Sequence, residues 1–342
     1  MPRLTIRQHG ASASIPRHPI AGNLQKPEER KANRGWTAAV ARRNSQYLQR
    51  IDFERVDGTP YAVTLTLPAW QMEQVTPVVM HRLIDVMIKY LRRHGMLHFH
   101  WIIEFTARRM PHIHMSVWMA DRYEEWDRHL RQYIVWDNNE SAVVSNVVVK
   151  WLELTEAEGL HTSSNSQDVQ LIDGNEAWLV YIAKHGIRGV KHYQRALDNM
   201  PDEWRDGAGA MWGHDRKMPV ADDSVLPMDM RAFHRFRREA RKWCCAHACM
   251  IKDPHRRAKA IGQARRSNRC CRPELSVVRP VSVWIPKDVT ISIVKGLRSR
   301  GYMIGWDAYQ WGVDELARLR DEGGSEERRR ILGKSLMEML RT

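Results

Sequence analysis

The stretch Glu104–Met119, EFTARRMPHIHMSVWM, decides how the rest of the chain is read. It sets two histidines one residue apart, His112-Ile113-His114, directly after Pro111. On a strand, residues two apart project from the same face. The two imidazoles therefore point together, while Ile113, Met115 and Val117 point the other way into a core. Leu97–Phe105, LHFHWIIEF, reads as a second strand, with Thr106 to Arg109 as the turn. A hairpin centred near Arg108 sets Glu104 opposite His112, where cross-strand side chains meet. Two imidazoles and a carboxylate then converge, which is the composition of a divalent-metal site. The chain has 16 histidines, so the pair alone reads as well as two solvated side chains. The carboxylate in register is what favours the metal.

Composition bounds the function. With 342 residues, 43% of them hydrophobic, the chain is long enough for two domains with real cores. A net charge of +14 points to a polyanionic partner, most simply nucleic acid. Some of the 14 Trp are candidate stacking platforms for unpaired bases, the rest core. No apolar run is long enough to span a bilayer, and the N-terminus lacks the apolar core of a signal peptide. Five cysteines, with Cys244-Cys245 and Cys270-Cys271 adjacent, make a poor disulfide framework and suit a reducing cytoplasm. They lack zinc-knuckle spacing and read as reduced thiols around a basic helix.

Three segments follow from the pattern. Residues 1–54, rich in Arg, Lys, Ser, Gly and Pro, read as a basic, largely flexible arm with one short helix near Trp36 to Leu48. Residues 55–218 alternate strand and helix signals. Tyr61 to Leu67 is a strand ended by Pro68, and Gln71 to His94 a helix stopped by Gly95. Asp121 caps a helix over Arg122 to Trp136, Val143 to Leu154 is β-branched and extended, and Val169 to Ile172 is a short strand. A helix over the first part of Glu176 to Tyr193, broken at Gly186, carries Tyr181, Lys184 and His185 on one face at i, i+3 and i+4. After a boundary near 216 to 228, residues 219–342 form a smaller, basic, mostly helical region for DNA binding or self-association. It has an Arg-dense helix from Met230 to Lys242 and strand-like character over Val277 to Ile293. Amphipathic helices follow over Val313 to Arg320 and Glu326 to Leu340.

A metal at His112, His114 and Glu104, a helical Tyr181, a nearby Lys184 and a basic chain together suggest phosphoryl transfer on DNA. Attack on a phosphodiester needs an activated nucleophile and neutralised phosphate charge. A phenol ionises near pH ~10 when free, so neighbouring positive charge helps it.

The same residues resemble the HUH endonuclease superfamily, in which a His-hydrophobic-His strand holds a metal and a later helix carries the nucleophilic Tyr. VTLTLP (Val63 to Pro68), EFTARRMPHIHM (Glu104 to Met115) and YIAK (Tyr181 to Lys184) match its motifs in order. KHGIRGVKHYQR followed by MWG is similar to rolling-circle initiators of filamentous phages and related plasmids. The similarity covers about residues 55–215. The resemblance implies an α+β fold, a central antiparallel sheet with flanking helices of the RRM-like kind. It implies metal-dependent nicking of single-stranded origin DNA, folded as a hairpin, with Mg²⁺ or Mn²⁺ as cofactor. A 5′-phosphotyrosine adduct, a free 3′ hydroxyl primer and later rejoining follow. Arg108, Arg109, His185, Arg188 and Lys191 are candidate DNA contacts. With no GxxxxGK[ST] loop in the sequence, unwinding falls to a host helicase and synthesis to a host polymerase in the bacterial cytoplasm. The C-terminal helix is read as a surface for self-association, as a homodimer, or for contact with host replication proteins. His185 follows Lys184, which gives a single-tyrosine enzyme, with Tyr193 as the reserve nucleophile beyond Gly186 and Gly189. The competing readings are a transposase of the same superfamily and a non-catalytic DNA-binding regulator. Relaxases are disfavoured because they place the tyrosine before the histidines.

Overall fold

The computed structural model describes residues 1–15, 35–127, 129–174, 186, 188–205, 207–267, 280–321, 326 and 333. The chain is α+β and divides into two compact units, one of residues 27–220 and one of residues 1–26 with 221–342.

The first unit holds a five-stranded antiparallel sheet. Its strands are β3 (Thr59–Leu65), β4 (Met96–Phe105), β5 (Pro111–Met119), β8 (Asp168–Leu171) and β9 (Trp212–His214), in the order β8-β3-β5-β4-β9. Strands β4 and β5 form the expected hairpin, with Glu104 paired to His112, Ile103 to Ile113 and Ile102 to His114. Alternation sends Trp101, Ile103, Phe105, Ile113, Met115 and Val117 into the core. That core also takes Met80, Leu83, Met87 and Leu91 from helix α2 (Pro77–Arg93) and Val143, Val147 and Trp151 from helix α3 (Glu140–Ala157). Thr76 caps α2 by accepting the Val79 N–H at 3.3 Å, and Pro77 sits in its first turn, where no donor is lost. Gly95 ends it at φ 86°, and a Cβ there would come within 2.8 Å of the Asn138 side-chain amide.

Two local readings are corrected. Arg122 to Trp136 is a hairpin, β6 (Arg122–Asp127) and β7 (Gln132–Asp137). Its aromatic residues also fit a strand pattern, pairing Trp126 with Tyr133 and Tyr123 with Trp136 across the ribbon. The reversal is set by Asp127, whose Oδ1 accepts the N–H groups of His129 at 2.7 Å and Leu130 at 2.9 Å. Val143 to Leu154 lies in the helix α3. Asn139 caps it by accepting the Ala142 N–H at 2.9 Å, and burial of Val143, Val147 and Trp151 every four residues outweighs the β preference of valine. The Gln71 to His94 segment begins as a 3₁₀ turn (Ala69–Gln74) before α2 starts.

The second unit is built from both ends of the chain. Strands β1 (Arg3–Arg7) and β2 (Gly10–Ser14) sit in the middle of a four-stranded antiparallel sheet of order β10-β1-β2-β11, flanked by β10 (Ser224–Pro227) and β11 (Val281–Trp284). The expected flexible arm is therefore ordered over its first fourteen residues. Leu4, Ile6, Ala11 and Ala13 alternate into a core with Phe233, Phe236, Val281, Val283 and Leu297. The reason it escapes local reading is that both flanking strands lie more than 200 residues downstream. In the first unit, the helix Ala38–Leu48 (α1) matches the short helix expected near Trp36 to Leu48. The mostly helical C-terminal region likewise contributes two strands besides the helices Met230–Cys249, Pro254–Ser267, Lys287–Arg298 and Trp306–Asp321. Of the strand-like Val277 to Ile293 segment, the part before Val281 falls largely outside the described residues; the rest divides at Pro286, with β11 before it and a helix after it.

Removing residues 1–15 takes out the two central strands of this sheet. The truncated chain should lose the cooperative unfolding of residues 221–342 and become protease-sensitive there. Unchanged protection in limited proteolysis would show that the N-terminal strands are dispensable.

Candidate metal centre

The face of the β4–β5 hairpin opposite the core carries the polar group. Glu104 and His112 are both buried, and His114 is nearly so. One ligand atom from each of the three lies within 4.8 Å of the others, the only such group among the described residues. The two rings sit 4.6 Å apart, centroid to centroid, at 80° to each other. Thr64, paired with His114 across β3–β5, has its hydroxyl 3.0 Å from His114 Nδ1, which fixes the ring rotation. His114 Nε2 then faces Glu104 Oε2 at 3.8 Å. The side-chain amide nitrogen of Gln194 stands 3.4 Å from His112 Nε2. Two imidazoles and one carboxylate, converging on a rigid strand pair, fit a divalent cation. A ligand held at its second nitrogen by a hydroxyl is the ordinary support of such a site.

The carboxylate is also an ion-pair partner. Glu104 Oε1 accepts the Arg195 Nε–H at 2.7 Å, and Oε2 accepts from the Arg188 guanidinium. Arg195 is fully buried, with its guanidinium 3.9 Å from the centre of the Trp36 ring. Trp36 in turn donates to the Ile103 carbonyl on β4 at 2.7 Å. Burial pushes the Arg195 guanidinium below its usual pKa, and Glu104 opposes that shift.

The hairpin turn is a second feature. Arg109 adopts φ 64°, a conformation that costs a non-glycine residue on the order of 1 kcal/mol. Its guanidinium donates to the Met200 carbonyl at 2.6 Å, and its N–H to the Thr106 carbonyl at 2.9 Å. Arg109 is thus tied into the fold, whereas Arg108 at the tip is exposed. Lys191 is exposed, and Tyr193 is exposed beside His192. Tyr181, Lys184 and His185 lie outside the described residues.

Sequence reasoning named Glu104, His112 and His114, and the structure brings them together. It assigned no role to Trp36, Gln194 or Arg195. The last two belong to the KHGIRGVKHYQR stretch noted for its resemblance, but a buried ion pair is only recognisable once its acid is located in space.

The fold and this polar group define a two-unit α+β protein with a Glu/His/His cluster on its sheet. Residues 60–154, which hold β4, β5, all but the first residue of β3 and all three cluster residues, match the family model described as replication-associated protein ORF2/G2P. The replication-associated protein G2P of Pseudomonas phage Pf3 is 30% identical over 270 residues, covering 78% of this chain and 87% of that protein. A Xylella fastidiosa (strain 9a5c) protein named for a role in replication is 27% identical over 318 residues, covering 89% of this chain and 99% of its own length. The chain belongs to the ORF2/G2P family of replication-associated proteins. No solved structure matches it significantly. Among the described residues, no helix is long and apolar enough to cross a membrane.

Replacing Arg195 by Gln removes one partner of a buried pair and leaves Glu104 under-compensated. The cost should be about 3 kcal/mol, read as a lower urea midpoint. Unaltered stability would show that the pair does not hold this part of the fold.

Proposed function

We propose that this chain initiates rolling-circle replication by nicking single-stranded origin DNA through a tyrosine nucleophile. The observation that carries the reading is the convergence of Glu104, His112 and His114 on one sheet face in a family of replication-associated proteins. Glu104, His112 and His114 would hold a divalent cation, which would supply Lewis-acid polarisation of the scissile phosphate. Two imidazoles in the donor set favour Mn²⁺ over the harder Mg²⁺, which prefers oxygen ligands.

Tyr181 is the nucleophile in this reading. Its phenolic oxygen attacks phosphorus, the bond to the 3′ oxygen breaks, and the phenol proton ends on that oxygen. The products are a 5′-phosphotyrosine and a free 3′ hydroxyl primer, and rejoining runs the exchange backwards. Lys184, three positions on in the sequence, stabilises the phenolate or the phosphate charge. Support comes from chain connectivity. Arg188, whose guanidinium rests on Glu104, follows Tyr181 by only seven positions. Arg108, Lys191 and His185 are DNA contacts, with phosphates as partners. Host helicase and polymerase supply unwinding and synthesis.

A labelled single-stranded origin oligonucleotide with Mn²⁺ should yield a covalent 5′ adduct. Tyr181→Phe should lower its formation by about 10³-fold or more, and EDTA should abolish it. His112→Ala with His114→Ala should remove cleavage while leaving DNA binding. An adduct formed by the Phe variant at the wild-type rate would remove Tyr181 from this role.

A further inference from the structure

The two arginines on Glu104 are not equivalent. Arg195 holds Oε1 and is locked: it is fully buried, it lies over Trp36, and its terminal nitrogen donates to the Arg188 carbonyl at 2.5 Å. Arg188 holds Oε2, the oxygen that faces His114 at 3.8 Å, and its side chain is 13% exposed where that of Arg195 is wholly covered. Arg188 lies between Gly186 and Gly189 in the sequence.

Oε2 is the oxygen a cation would share with the imidazoles, so Arg188 and a cation compete for one atom. We propose that Arg188 is an exchangeable counter-ion of Glu104, holding Oε2 in the cation-free protein, yielding it to the cation, and then pairing with a phosphate oxygen of the bound DNA. The inference rests on the metal-dependent nicking reading and adds to it a residue that couples the two ligands.

The charge balance gives the reason. Among the described groups, with neutral imidazoles, one carboxylate and two guanidiniums carry +1, and a divalent cation added beside them would raise this to +3. Repulsion of that size in a buried place is unfavourable. Turning Arg188 away relieves it, and a phosphodiester then gives the guanidinium a new anion with matching bidentate geometry. Cation and DNA each favour the conformation that the other needs. Their binding is therefore positively coupled, by the same factor in each direction.

The test is a calorimetric titration of Mn²⁺ into the full chain, alone and with a (dT)₈ oligonucleotide, which carries no origin to cut. Arg188→Gln should tighten Mn²⁺ binding in the DNA-free protein by about tenfold or more, since a like charge within a few ångströms is removed. In the wild type, the oligonucleotide should tighten Mn²⁺ several-fold, and Arg188→Gln should erase that gain. A folded Arg188→Gln protein that binds Mn²⁺ no better than the wild type overturns the proposal. So does a wild-type Mn²⁺ affinity indifferent to the oligonucleotide, a result that needs no variant at all. Glu104→Gln separates the two readings. If it abolishes Mn²⁺ binding, the metal site stands even where the exchange fails. If Mn²⁺ binds it as well as the wild type, the metal reading fails first.

Discussion

A carboxylate with no exposure to water organises the candidate site. Burying an isolated ionised carboxylate is costly, and the group must be paired and hydrogen-bonded or else protonated. Glu104 meets that requirement with one arginine on each oxygen. The pairing in turn constrains everything around it. Arg195 needs the Trp36 ring over its guanidinium, and Trp36 needs the Ile103 carbonyl of the same strand that carries Glu104. The segment that ends in Arg195 is thereby drawn onto the sheet beside His112, where Gln194 reaches the imidazole.

The hairpin supplies the precision that this charge cluster needs. Strand pairing fixes Glu104 against His112 and Thr64 against His114, and each of these side chains projects from the same face by alternation alone. A one-residue slip would turn the whole set into the core and the core residues out. The apolar face guards against that slip, because Ile103, Phe105, Ile113 and Met115 are all buried against α2, α3 and their neighbours. Stability and site geometry are two faces of one register. The turn that closes the hairpin is held by Arg109, which accepts a strained φ in exchange for hydrogen bonds to Thr106 and Met200.

The mistaken local readings share a physical cause. Tyr123, Trp126, Leu130 and Tyr133 satisfy a helical stripe, and Tyr123, Trp126 and Tyr133 satisfy a two-stranded ribbon once Asp127 makes its turn around Leu130. Val143 to Leu154 has strand-forming residues at helical spacing, and packing decided for the spacing. Residues 3–14 pair as two short strands without a hydrophobic run of their own, and the strands that flank them arrive only at Ser224 and Val281. In each case the local signal was balanced; the Asp127 turn settled the first and more distant contacts the other two.

The amino-acid sequence alone determined the β4–β5 hairpin and its register, and hence the meeting of Glu104 with His112 and His114, while the α+β class was implied by the resemblance of its motifs. The hairpin and that meeting follow from period-two alternation and a short turn, which are properties of neighbouring residues. The tertiary structure alone decided that the N-terminus completes the sheet of the second unit and that Glu104 is clamped by Arg188 and Arg195. Both depend on pairing between residues more than 80 positions apart, where loop-closure entropy and burial, not local preference, choose the partner.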